Sequence, residues 1–328
     1  MIKILITYSL IANSGYFKDK IKERIKNKFE SEPAPIASQI SHSEKLGPGD
    51  YTFSIKVDNI DRWFKVHVPQ QYNSKKATPL MFALHGGVGD MNIQSTDKFY
   101  RQISKSDQEN YIVVFPNGYS PFQSGKIATW NAGNCCGPAR DKKIDDVKFI
   151  KLIIEQLKQQ LNIDSKKIFA NGMSNGGMMS YRLACELSDV FKGIAAVAGT
   201  DNTIDCKPKN PINILQIHAE NDDHVLFNGG IGPKAINKSS ETVYNSVPNT
   251  IAKWVNINEC PKKPERVLEN PGVYCDLYSP CKNQTQIKLC VTKNGGHSWP
   301  GGEKPRGTIE SSNAISATNE IWSFLKDK

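Results

Sequence analysis

Short apolar runs alternating with helical stretches constrain this chain more than any other feature. PLMFAL (residues 79–84), YIVVF (111–115), KIFA (167–170), GIAAVA (193–198) and INILQI (212–217) are too short for helices and carry almost no polar residue. Runs of that kind suit strands buried on both faces of a sheet. Between them, residues 145–161 place Val147, Ile150, Ile153, Ile154, Leu157 and Leu161 at helical spacing, and 175–187, 248–255 and 314–324 are further helix candidates. Residues 51–57 and 63–68 read as an antiparallel pair ahead of this pattern. Strands alternating with helices predict an α/β class: a mostly parallel sheet with helices on both faces.

One junction in that pattern carries chemistry. Gly172-Met173-Ser174-Asn175-Gly176 leaves the strand candidate KIFA and enters a helix candidate. Strand, sharp turn and helix around G-x-S-x-G are the setting of a nucleophile elbow, where glycines make room for the turn and the helix N-terminus offers unpaired N–H groups. A bare five-residue match arises by chance; the flanking elements make Ser174 the nucleophile candidate.

A serine hydroxyl needs a base, and the base needs an orienting acid. After such an elbow the partners follow in the order acid, then histidine. Only His218, His224 and His297 come later in the chain. His297, in NGGHSWPG directly after the strand candidate 286–293, is the expected base. The acid is expected just beyond INILQI, in HAENDDH, where Asp222 is the choice and Asp223 and Glu220 stand as alternatives. The same loop admits a metal reading through His218, Asp222, Asp223 and His224, but spacing alone does not make ligands converge. No metal or cofactor is therefore expected, and His218 at a strand end reads as structural. Leu84-His85-Gly86-Gly87 after PLMFAL matches an oxyanion loop, so the backbones of Gly87 or Gly86 and of Asn175 are the expected donors. GGVGD lacks the spacing of a phosphate-binding loop.

Composition narrows the class further. The 328 residues carry a net charge of +9, but residues 1–28 alone hold +5 of it. The remainder is nearly balanced, which argues against a nucleic-acid binder. Glycine and proline are at ordinary levels, and no uncharged apolar run reaches the roughly 20 residues of a spanning helix. The uncharged stretch 4–17, followed by Phe17, Ile21, Ile25 and Phe29 among lysines, predicts an export signal or a membrane-surface anchor, and residues 31–43 a linker. All eight cysteines lie between Cys135 and Cys290 without zinc-type spacing, which favours disulfides and an oxidising compartment. Cys275 and Cys290 are expected to face each other across a hairpin, and adjacent Cys135 and Cys136 to reach two separate partners, Cys185 and Cys206. The division expected is an arm and linker, 1–45, ahead of one catalytic domain, 46–328.

Taken together, LHGGVGD, FPNGY, ATWNAGNCCGPARD, DDVKFI, GMSNGGMMSYRLACE, HAENDDHV and NGGHSWPGG resemble the secreted polyhydroxybutyrate depolymerase family of esterases, related to feruloyl and acetylxylan esterases. The likeness covers roughly residues 47–325. It implies an α/β-hydrolase fold, a Ser174-Asp222-His297 triad, and Trp130 and Trp299 lining the acyl or polymer groove. HAEND stands where the family more usually has HGTAD. The substrate implied is a polyhydroxyalkanoate chain or its oligomers, with feruloyl or acetyl esters of polysaccharide as the alternative and a non-catalytic polymer binder as the alternative of another class. No obligate protein partner is implied.

Overall fold

The structure is a computed structural model that describes residues 23, 27, 29–41, 43–234, 243–305 and 310–328. The apolar stretch 4–17 and the stripe positions Phe17, Ile21 and Ile25 lie outside the described residues. Ten strands form one sheet among the described residues: β1 Gly49–Val57, β2 Ile60–Val68, β3 Thr78–Leu84, β4 Ile112–Pro116, β5 Ile163–Met173, β6 Gly193–Val197, β7 Asn213–Ala219, β8 Glu265–Asn270, β9 Val273–Tyr278 and β10 Ile287–Thr292. Their order is β1-β2-β4-β3-β5-β6-β7-β10-β9-β8. The segment from β4 to β10 is parallel throughout, and antiparallel strands extend both ends.

The α-helices that pack on this sheet among the described residues are α1 Met91–Gln94, α2 Asp97–Tyr100, α3 Gln102–Glu109, α4 Gly137–Asp141, α5 Asp146–Gln160, α6 Asn175–Glu186, α7 Val247–Ile257 and α8 Ala317–Leu325. Strand side chains alternate between faces, so each run feeds two cores. Leu80, Phe82 and Leu84 pack with Phe149, Ile153 and Leu157 of α5, Met179 and Leu183 of α6 and Trp254 of α7. Met81 and Ala83 face the opposite way, toward Trp322, Phe324 and Leu325 of α8. This is the expected mostly parallel sheet covered on both faces. The strand least visible in sequence, β8, is an exposed edge with no apolar alternation to betray it.

Residues ahead of β1 lie against the body at several points. Phe29 packs on Phe122 with centroids 5.7 Å apart, Glu32 pairs with Lys126 at 2.7 Å, and Ser38 exchanges hydrogen bonds with the Thr52 backbone of β1. Gln160 at the end of α5 also bonds the Ser41 carbonyl and the Leu46 N–H, so the segment expected as a linker runs along the body.

All eight cysteines are paired. Cys275–Cys290 joins directly opposed residues of β9 and β10, as the hairpin expectation required. Cys185 at the end of α6 bonds Cys206, which leaves Cys135 and Cys136 bonded to each other rather than to separate partners. That corrects the expected connectivity: the Cys185 and Cys206 α-carbons sit 5.4 Å apart and satisfy one another. Cys260–Cys281 completes the set. Four disulfides match the oxidising compartment read from cysteine usage.

Candidate active site

All the candidate loops emerge from the C-terminal ends of parallel strands, where open α/β sheets place their ligand sites. Residues 85–87 follow β3, Ser174 follows β5, Asp222 follows β7 and His297 follows β10. Because β3 pairs with β5 and β7 with β10, the four loops form two adjacent pairs over one rim of the sheet.

Ser174 sits at φ 54, ψ −121, a conformation that non-glycine residues avoid and that surrounding structure must enforce. The enforcement is backbone packing. Ser174 N donates to the Val197 carbonyl at 2.8 Å, fastening the turn to β6. A Cβ on Gly176 would run into the Leu84 carbonyl and come within 2.6 Å of the His85 carbonyl; one on Gly172 would strike the Gly176 carbonyl group. Gly199 closes the third side, since a Cβ there would meet the Ser174 carbonyl. The motif gave notice of the first two glycines; Gly199 carried no signal, because it belongs to the loop after β6.

The loop after β3 is pinned through its carbonyl. Gly86 O accepts from Gly89 N at 3.0 Å and from His85 Nδ1 at 2.8 Å. His85 Nε2 accepts from Gly118 N at 2.8 Å, so the imidazole is neutral with its proton on Nδ1. Burial pushes its pKa down to about 4, against a smaller opposing effect of the Gly86 bond. In a planar trans peptide the N–H points opposite to the carbonyl, so the Gly87 N–H is directed away from the His85 ring. Gly87 lies beside Asn175, 3.6 Å from Cβ to Cβ were it an alanine, and both line the cleft. At the start of α6 the N–H groups of the first turn have no intrahelical acceptor. Gly86, Gly87 and Asn175 all line the cleft, and the Gly86 carbonyl bonds hold the peptide that carries the Gly87 N–H.

Trp130 is placed otherwise than the resemblance implied. It is fully buried, donates from Nε1 to the His85 carbonyl at 2.9 Å and is not among the cleft-lining residues. The Asn175 amide grips its backbone, accepting from Trp130 N at 2.7 Å and donating to Trp130 O at 3.1 Å. An indole that braces the floor does not touch a substrate, so the groove assignment is corrected. Trp299 does line the cleft, edge-on to Tyr100 at 5.3 Å, with its Nε1 held by Thr318 at 3.0 Å.

On the other side, Asp222 is buried and fully engaged. Its Oδ1 accepts from the backbone N–H groups of His224 and Val225 at 2.9 and 3.0 Å, and its Oδ2 accepts from His297 Nδ1 at 2.8 Å. Burial raises its pKa, but the attraction of His297, the hydrogen bond to it and the nearby His218 outweigh that, leaving the carboxyl below its ordinary value. Asp223 turns away to His224 and Lys234, and Glu220 is exposed, so of the three acids only Asp222 meets His297. With Nδ1 bound, the Nε2 of His297 is left as an acceptor. Asn221 Oδ1 accepts from Gly296 N at 2.9 Å, clamping the His297 loop to the acid loop. Gly295 at φ +103 passes within 2.5 Å of Ser312 N where a Cβ would stand, and no other residue fits there.

His218 lies beneath Asp222. It donates from Nε2 to Val225 O at 2.8 Å, and its Nδ1 accepts from Gln216, which in turn accepts from the Tyr181 hydroxyl. Burial lowers its pKa, in keeping with a neutral structural histidine. Asp222, His224 and His297 each offer a ligand atom within 4.8 Å of the others. The two rings are stacked, however, with centroids 4.6 Å apart and planes 15° from parallel. Lone pairs of stacked imidazoles run side by side, which is not the converging geometry of a tetrahedral metal site.

Ser174, His297, Gly86, Gly87 and Asn175 share one cleft of about 680 Å³, walled by Ile93, Tyr100, Met173, Met178, Tyr244 and Trp299. The arrangement can activate a hydroxyl, hold a proton on an oriented imidazole and stabilise an oxyanion beside an apolar pocket.

Comparisons with known proteins place esterases among those this chain is similar to. A model of the prolyl oligopeptidase family matches residues 138–207, which include the Ser174 turn. Feruloyl esterase B of Piromyces equi is 29% identical over 237 residues, covering 71% of this chain and 42% of that protein. The “Probable feruloyl esterase C” of Aspergillus terreus is 32% identical over 202 residues, covering 60% of this chain and 68% of that protein. The chain thus spans less than half the length of the Piromyces relative. Among solved structures, the acetyl xylan esterase from Aspergillus awamori superposes with a TM-score of 0.57 at 12% identity, covering 84% of this chain and 99% of that one, a likeness of fold.

Proposed function

Because the chain belongs to the α/β-hydrolase esterase family that includes the feruloyl esterases, we propose that it hydrolyses carboxylic esters through Ser174, His297 and Asp222. The observation that carries this reading is the Asp222-bound His297 sharing a cleft with a serine on a strained strand-to-helix turn. His297 Nε2 takes the Ser174 proton as Oγ attacks the ester carbonyl, and the oxyanion that forms is met by the Gly87 and Asn175 N–H groups. Asp222 remains ionised and holds the imidazolium. His297 then gives the proton to the departing alkoxide, releasing the alcohol. A water deprotonated by His297 attacks the acyl-serine, and collapse returns the acid and free Ser174.

For the substrate, we favour feruloyl or related aryl esters of polysaccharide. Tyr100, Tyr244 and Trp299 wall a cleft of about 680 Å³, far roomier than an acetyl group needs and suited to a flat aromatic acyl group. The similarity to feruloyl esterases moves the emphasis away from the polyhydroxyalkanoate expected from the motif blocks. The single catalytic unit 46–328, export, and attachment of the N-terminal arm to a membrane surface are proposals that rest on the sequence pattern and the disulfides.

The test is hydrolysis of methyl ferulate, acetylated xylan and 3-hydroxybutyrate oligomers by the full chain beside Ser174→Ala. Ferulate release that disappears in Ser174→Ala is the expected result. Undiminished turnover by a folded Ser174→Ala protein would overturn the serine mechanism, and preference for the oligomers would reinstate the polyester substrate. Retention of polymer without any product would point to a binding protein instead.

A further inference from the structure

Next to the Asp222–His297 pair stands a second pair built from the very next residues. Asp223 Oδ1 accepts from His224 Nδ1 at 2.6 Å, and the two imidazoles lie face to face at 4.6 Å. The second pair is itself anchored. Lys234 reaches Asp223 Oδ2 at 2.8 Å, and its backbone N–H donates to the Asp223 carbonyl at 3.0 Å. His224 also donates its backbone N–H to Asp222 at 2.9 Å, so one residue touches both the acid and the ring that acid holds.

The hydrogen bond from His297 Nδ1 to Asp222 fixes one end of the ring but leaves it free to swing about that contact. A flat side chain against its face removes that freedom. We propose that His224 is a positioning residue for His297: its ring, anchored through Asp223 and Lys234, is a wall that confines the His297 imidazole to one orientation within the cleft it shares with Ser174. The inference rests on the serine-esterase reading above. His224 lines the cleft but is not assigned any contact with the reacting atoms.

The charges facing His224 are consistent with a wall that stays uncharged near neutrality. Burial and the neighbouring His297 lower its pKa, against the opposing pull of Asp223 and Asp222. Among the described residues Lys234 also lies at this contact, paired with Asp223, and Lys304 lines the same cleft. A charged His224 would oppose the imidazolium that His297 becomes during acyl transfer, whereas a neutral one supports the ring without that penalty.

Three variants test the proposal on the full chain, with ester hydrolysis and the His297 Nδ1 proton resonance as readouts. His224→Ala should lower kcat about tenfold while KM changes little, since the loss is of orientation and not of substrate contact. Its low-field Nδ1 proton signal should broaden or vanish. His224→Phe, which restores a flat ring, should recover most of the lost kcat and the signal. Asp223→Asn, which loosens the anchor while leaving His224 in place, should fall between the parent and His224→Ala. Parental kcat in a folded His224→Ala, or no recovery in His224→Phe, would overturn the inference. Ser174→Ala run alongside separates the two claims: if it abolishes turnover while His224→Ala does not matter, the esterase reading stands and the wall does not.

Discussion

The two sides of the cleft are built from different materials. On the Ser174 side the tightest constraints are backbone against backbone: Gly172, Gly176 and Gly199 sit where a Cβ would meet a peptide group, with the His85, Trp130 and Asn175 side chains bracing the loops around them. On the His297 side, Gly295 apart, the constraints are mostly side chains: Asp222, Asn221 and His224 hold the ring and its loop through hydrogen bonds and stacking. Close-packed backbone has no smaller adjustment to make when an atom is added, whereas a hydrogen-bonded side chain can be replaced and its loss shared among the remaining contacts. The first side should therefore fail in folding and the second in function.

The largest contrast should come from Asp222→Asn. Turnover should fall by about 10⁴-fold through loss of the correct imidazole tautomer, with the fold retained, as shown by initial rates beside an unchanged circular dichroism spectrum. Gly176→Ala should do the reverse, costing about 3 kcal/mol of stability in urea titration because the added methyl has only backbone to push against. A Gly176→Ala protein as stable as the parent would break the comparison at its root.

An effect of at most comparable size sharpens the same contrast through pH. The unfolded chain takes up a proton at His85 near pH 6.5, while in the folded chain this histidine stays neutral until about pH 4. Unfolding therefore binds a proton in that window, and stability falls as pH drops from 6.5 to 4 by up to about 3 kcal/mol. His85→Gln should flatten that slope when urea midpoints are followed across the same range; an unaltered slope would remove His85 as its source. The smallest expected effect is Asn221→Ala, about 1 kcal/mol for one lost hydrogen bond to Gly296 N, seen as a modest fall in kcat and a small shift in midpoint.

Legibility in the sequence divided along similar lines. β3 to β7 could be read because buried parallel strands are short, apolar and bounded, and α5 and α6 because their apolar residues recur at helical spacing. β8 escaped because an exposed edge carries no such pattern, and α1 to α4 because helices of four to eight residues give too little period to detect. Trp130 and Trp299 could not be told apart from their neighbours in the chain; one braces the floor beneath His85 and the other faces the cleft, a difference set by which layer each loop enters. The pairing of Cys135 with Cys136 was likewise closed to sequence, since Cys185 and Cys206 are brought together only by the path of the chain after α6.

What the amino-acid order determined on its own is the layered sheet, the Ser174 turn, the glycine loop after β3 and the late histidine in its glycine-rich loop, because each is a local pattern with a local physical cause. Seeing which of Asp222, Asp223 and Glu220 meets His297, and that His224 stacks on it, needed the tertiary structure. Those choices turn on which atoms meet across more than 70 residues of chain, as in the 75-residue separation between Asp222 and His297. Contacts at that range follow from how the strands align, and no spacing along the chain records them.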